Sequence, residues 1–404
     1  MRAPPTVYLD SQDYSRFGDV LRGKSDADTE ALFLDLEARK SAGDVIFAVS
    51  MPIIGELFQY NANFRETTIK KTEAIERLCG TWSLAFPSRL LAAQIIDTAK
   101  SQGLGLEAPE INVLTSDRYW YPNIAASFEG LRDKMRLELD QQISAMSLSR
   151  HLRRGVAKNA RKVDFYKIAQ EAAPVLAADY GIPAEAITQS IVQLLRGKIS
   201  PEQASHKLFS AIAEPVKFVE VYFERIQSDR SLPSWIGKLG RDLKSHLTDL
   251  RQTMLPALNS DSDKTQFRSM VWGHKTTFGK MILSIALDET QNPELDRAMR
   301  GLLANNPDFS DILPACDMFG NVLASYVEQV TGLRGTAAGI EDSLGGDILH
   351  ALYLPYVDLW RGDRRFSHIL KSALPAYADR IVPTVKELPV AIDNWLTERS
   401  PDSK

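Results

Sequence analysis

The chain has 404 residues, a formal net charge of −4, 44% hydrophobic and 25% charged residues. This is room for two or three globular units, or one domain with a large insertion, and the composition supplies an ordinary core. The charge excludes a global field that gathers nucleic acid, so any basic surface must be local. Two cysteines exclude a disulfide framework and a cysteine-based zinc site, and the six histidines form no HExxH. No signal-peptide core opens the chain, and the apolar run "VIFAVSMPIIG" stops at Glu56, too short to cross a bilayer. A cytoplasmic protein with no membrane partner is expected.

In chain order, "TVYLD" reads as a short strand ending in an acid. "DTEALFLDLEARKSAGD" places Leu32 and Leu36 at helical spacing, with Gly43 near the stop. "VIFAVS" is a buried-strand run, and Pro52 then opens a helix carrying Glu56. A charged helix "TTIKKTEAIERL", a strand "WSLAF" and a helix "SRLLAAQIIDTAKSQ" follow. Alternation of this kind predicts an α/β fold with a parallel sheet.

From about 120 to 330 strand signals vanish. Ser200, Pro201 and Gln203 predict a capped helix start, and Pro293 opens another helix. Trp235, Ile236, Leu239, Leu243, Leu247, Leu250 and Met254 form an amphipathic stripe. Trp235 and Trp272 sit in apolar company and read as core residues. Near 340 the α/β pattern returns, with "GGDILHALYL" as helix, "YVDLWRG" as strand and "DRRFSHILKSAL" as helix. The expected organisation is a discontinuous parallel-sheet domain, 1–115 and 335–404, interrupted by an all-helical insertion, 116–334.

Ligands of open parallel sheets bind beyond the carboxyl ends of the strands. Asp10 ends the first strand and Asp363 follows the last. Glu56 lies about one turn into the helix after "VIFAVS", and Asp347 begins the helix leading to the last strand. Four acids from distant sequence can thus converge at one edge. Such a cluster repels itself unless cations occupy it, and oxygen ligands suit Mg2+ or Mn2+. Two such ions would activate water and steady the leaving oxygen of a phosphodiester.

At "VYLD" with Asp10, "VSMPIIGE" with Glu56 and "GDILHALYLPYVDLWRGDRRF" with Asp347 and Asp363, the chain resembles the PIN-like domains. The resemblance covers roughly 1–105 and 335–390, and "WSLAF" matches the third strand. It implies that these four acids bind metal, and that the chain is a Mg2+- or Mn2+-dependent nuclease acting on RNA before DNA. The family includes the toxins of many bacterial toxin–antitoxin pairs. The chain departs from the pattern before its last acid, where Arg361 and Gly362 replace the usual Thr or Ser.

Around these acids, Asp13 reads as a turn or cap residue, or as support for the ligands. Asp358 reads as a strand-start residue or as support. His350 shares a helix face with Asp347, as a structural histidine or a general acid. Arg364 and Arg365 flank the site, where they would hold a phosphate or simply face solvent. In "RHLRRGVAKNARKVDFYK", Arg150, Arg154, Lys158 and Lys162 recur at four-residue steps and form one basic helix face. That face suits a phosphate backbone, or solvent. Two functions follow: a nuclease whose insertion selects RNA or DNA, or a catalytically weak PIN-like module whose insertion binds a protein or nucleic-acid partner.

Overall fold

The computed structural model describes the chain except residues 1–2, 58–61, 104–110, most of 131–164, 226–237, 291–292, 306–307, 311, 334–343 and 399–404. It is mostly helical, around a small four-stranded parallel sheet. The elements of the first part are β1 (Thr6–Tyr8), α1 (Ser11–Leu21), α2 (Ala27–Ala42), β2 (Ile46–Phe47), α3 (Met51–Leu57), α4 (Arg65–Cys79), β3 (Ser83–Leu84), α5 (Pro87–Ser101) and β4 (Leu114–Thr115). The last part adds the helix Leu344–Ala351, β5 (Leu359–Arg361), the helix Arg364–Ala373, β6 (Ile381–Val382) and the helix Leu388–Glu398.

The sheet order is β2-β1-β5-β6, with Val7 paired to Phe47 on one side and Leu359 on the other. Trp360 continues the ladder to Ile381 of β6. A bridge from Val49 to Ser83 sets β3 beside the end of β2, and β4 pairs antiparallel with β3. Strand order therefore reverses at β1, whose neighbours come from opposite ends of the sequence.

Side chains alternate along a strand. Tyr8 and Trp360 are register partners and stack at 6.3 Å, while Tyr8 also stacks on Tyr353 at 5.7 Å. Each such aromatic pair adds about 0.5–1.5 kcal/mol beyond its burial. Arg361, one residue on, meets Asp13 of α1 instead.

Local signals explain several boundaries. Asp26 accepts from Thr29 N at 2.7 Å and starts α2, and Gly43 ends it at φ 81°. Ser200 and Gln203 form the expected capping box. Pro293 stands first in the helix Pro293–Asn305. Leu243 and Leu247 of the amphipathic stripe are buried, whereas Trp235 and Ile236 lie outside the described residues.

One expectation needs correction. "SQDYS" is not a turn: Asp13 is a fully buried residue in the first turn of α1. The chain divides into Met1–Tyr121 with Phe223–Lys404, and Pro122–Tyr222. In the smaller unit the helices Phe165–Tyr180, Ala184–Leu195 and Pro201–Ser210 pack in succession. In the larger, the helix Pro314–Val330 is buried along most of its length and packs on α5, Leu344–Ala351 and Arg364–Ala373. Its buried Glu328 accepts from Arg268 Nε and Trp272 Nε1, each at 2.6 Å. Trp272 is thus a half-buried donor to an interior carboxylate. Among the described residues no helix is long and apolar enough to cross a membrane.

Candidate functional site

The site is built where β1 and β5 end. The chain leaves β1 at Asp10, which caps α1 by accepting from Gln12 N at 2.8 Å. It leaves β5 at Asp363, which caps the next helix by accepting from Arg365 N at 2.7 Å and Phe366 N at 3.0 Å. The other oxygen of Asp10 accepts from Asp363 N at 2.8 Å. Capping and convergence are therefore properties of the same two residues.

Glu56, in α3, accepts from or shares a proton with His350 Nε2 at 2.9 Å. The Nδ1 of His350 meets the hydroxyl of Tyr8, which also meets Ser50 Oγ at 2.7 Å. Ser11 joins the acids: its hydroxyl donates to Asp10 Oδ1 at 3.3 Å and also bonds Glu56. Gly346 is required here, because a Cβ on it would stand 2.7 Å from Glu56 Oε1. Asp347 follows directly in the same helix.

The electrostatics tie the four acids into one cluster. Burial pushes the Asp347 carboxyl up to about 7, and the charges of Glu56, Asp363 and Asp10 push the same way against His350. Burial would lower His350, but the charge and hydrogen bond of Glu56, with Asp10 and Asp347, carry it up to about 9. Burial opposes ionisation of Glu56 too, and His350 and Ser11 outweigh it, holding this carboxyl below its ordinary value.

A second pair underlies the first. Arg361 Nη2 donates to Asp13 Oδ1 at 3.1 Å, with both side chains buried. Burial still pushes Asp13 up to about 7; Arg361 opposes this and Asp10 reinforces it. Asp13 Oδ2 and Arg361 Nε and Nη1 have no hydrogen-bond partner among the described residues. Position 361 carries the counter-charge of Asp13, and a Cβ at Gly362 would collide with the Trp360 ring.

Asp10, Glu56, Asp347 and Asp363 are thus brought together, with Asp13 and His350 behind them. Asp358 is not: it opens β5 at the opposite strand end, where its carboxylate accepts from Thr6 N at 2.9 Å. Its strand-start reading holds and its supporting role falls away. Arg364 and Arg365 are exposed on the first turn after Asp363. Arg150, Arg154, Lys158 and Lys162 lie outside the described residues. Sequence reasoning missed Tyr8, Ser11, Ser50 and Arg361. Arg361 alone left a signal, a single charge inside the apolar strand "LWR", which requires a buried partner.

The donor set is all oxygen and suits a hard divalent cation. His350 is excluded as a ligand in this arrangement, since both ring nitrogens are engaged. Among the described residues, no three acidic, histidine or cysteine side chains are gathered closely enough to form a metal site as they stand. Asp10, Asp363 and Glu56 each turn at least one oxygen to a protein donor. None of the family models, curated proteins or solved structures compared with the chain matches it.

Proposed function

We propose that the chain is a PIN-like, Mg2+- or Mn2+-dependent nuclease that hydrolyses phosphodiester bonds, in RNA before DNA. The observation that carries this reading is the convergence of Asp10, Glu56, Asp347 and Asp363 at the carboxyl edge of a parallel sheet, beside the strand where the order reverses. Among the described residues five carboxyl groups, counting Asp13, face three built-in cations, His350, Arg361 and Arg16. The excess negative charge favours a divalent cation.

Asp10, Glu56, Asp347 and Asp363 would hold the ion, with a modest turn of the side chains now bonded within the protein. A bound ion would lower the pKa of water and offset charge on the leaving oxygen. The remaining work belongs to the chain. The Asp363 amide fixes Asp10 against Asp363, and Ser11 holds Asp10 against Glu56. Arg364 and Arg365 offer charge to a phosphate at the mouth of the site.

The test is cleavage of labelled RNA and single-stranded DNA with Mn2+ or Mg2+, wild type against Asp363→Asn. Asparagine also caps helices, so the fold survives. The expected result is RNA cleavage that falls at least about 100-fold in the variant, the upper end of the loss seen for residues one step removed from a metal. Wild-type protein inert with every divalent ion, or a variant that cleaves normally, overturns the reading. The pairing of Glu56 with His350 and of Asp13 with Arg361 favours the second reading, a catalytically weak module, and the inert result selects it.

A further inference from the structure

Asp10 and Asp363 are placed by capping helices, whereas Glu56 is placed by side chains. Its partner His350 is buried, and both ring nitrogens are committed, Nε2 to Glu56 and Nδ1 to the Tyr8 hydroxyl. Tyr8 is itself fixed. It lies fully buried in the central strand, stacked between Tyr353 and Trp360, with its hydroxyl bonded to Ser50 at the entrance to α3. The chain of bonds therefore begins and ends beside one helix, since Ser50 precedes α3 and Glu56 lies within it. Gly346 leaves room for the same oxygen, since a Cβ on it would stand 2.7 Å from Glu56 Oε1.

A glutamate has three side-chain torsions, and ordering them weakens binding when an ion must do it. A carboxylate already anchored through one oxygen avoids most of that cost. We infer that Ser50, Tyr8 and His350 form a positioning relay that presents the Glu56 carboxylate to a divalent ion without touching the ion. The inference rests on the metal reading of the site. Tyr8 and His350 act through Glu56, so their loss should matter only while Glu56 is a carboxylate able to bind.

The experiment is a titration with Mn2+, detecting free ion by electron paramagnetic resonance. It compares wild type, Tyr8→Phe, Glu56→Gln and the double variant. Phenylalanine keeps the stacked ring and removes only the hydroxyl. Tyr8→Phe should weaken Mn2+ binding by about 10-fold or more, the range for residues that orient a ligand, and should add nothing in the Glu56→Gln background. The 15N signals of the His350 ring, read in metal-free protein, should move in both single variants. If Tyr8→Phe does not fold, Gly346→Ala displaces the Glu56 carboxylate by crowding the oxygen that His350 holds. The same loss is then expected, and again none in the Glu56→Gln background.

Wild-type affinity in the variant, or equal losses with and without the Glu56 carboxylate, overturns the relay while leaving the metal site standing. A wild-type protein that binds no Mn2+ overturns the metal reading, and the relay with it.

Discussion

Removing Arg361 tests whether the Asp13 pair is the buried, under-satisfied ion pair that its geometry describes. Arg361→Met keeps the apolar stem and deletes the charge. The Asp13 side chain has no exposure and that of Arg361 only 4%, so the abandoned carboxylate cannot reach water. Breaking such a pair costs about 3–5 kcal/mol when the remaining charge stays ionised. Asp13 has an escape, because it can take up a proton. In the wild type its carboxyl already titrates at about 7, so at pH 6 it is largely neutral in both proteins. There the loss reduces to a hydrogen bond and some packing, about 1–3 kcal/mol. Above pH 7 the folded wild type releases this proton. The folded variant, lacking the opposing charge, keeps it to higher pH. The variant therefore falls behind by about 1.4 kcal/mol per pH unit until its own carboxyl ionises. Urea unfolding at pH 6, 7, 8 and 9, with 13C titration of Asp13, measures both quantities. A stability loss that is the same at pH 6 and pH 9 refutes the argument. Replacing both residues, Asp13→Leu with Arg361→Met, should recover most of the loss, since no charge is then left in the interior.

Asp347 makes a related prediction for the metal-free protein. Its folded carboxyl is raised to about 7 from an ordinary value near 4, so its contribution to stability is complete below about pH 4 and lost as pH climbs through 7. Asp347→Asn should flatten that part of the profile of unfolding midpoint against pH and raise the midpoint at pH 8; an unchanged profile sinks the assignment of the charge cluster. Away from the site, Trp272→Phe removes one of the donors to the buried Glu328 carboxylate. A hydrogen bond to a charged group is worth about 1.5–3 kcal/mol, and urea unfolding should register a loss in that range. A loss below about 0.5 kcal/mol, the scatter expected of a neutral change, would mean that Arg268 suffices.

The strands that carry the site were legible because each is an apolar or β-branched run followed closely by a polar residue: "TVY" before Asp10, "IF" before α3, "LWR" before Asp363. β4 and β6 were not, since two-residue strands such as Leu114–Thr115 and Ile381–Val382 have no period to detect. α1 was hidden because only Tyr14 and Phe17 in "SQDYSRFG" declare an apolar face, and that face is completed by packing on α4. The extent of the helical unit was not legible for another reason. Helical periodicity shows that Pro314–Val330 has apolar faces, not that these faces cover the sheet domain. Likewise the four acids could be read one by one, whereas the Tyr8–His350 and Asp13–Arg361 contacts join residues 342 and 348 positions apart. No local pattern encodes partners at that distance.

The hydrogen bond from Asp363 to Asp10 spans 353 positions of sequence. On the ribosome, β1 therefore waits for β5 to emerge before its second edge is paired. At about 5–20 residues per second that wait is roughly 20–70 s. During it the central strand offers an open edge to any other chain, the hazard that unpaired strands carry. The same delay keeps the carboxylates apart. A nascent chain has Asp10 and Glu56 but neither Asp347 nor Asp363, so the proposed activity, which needs all four, would be withheld until synthesis passes residue 363. Ribosome-bound chains stalled before residue 347 should bind no Mn2+, and the capacity should arrive abruptly once residues beyond 363 have cleared the exit tunnel.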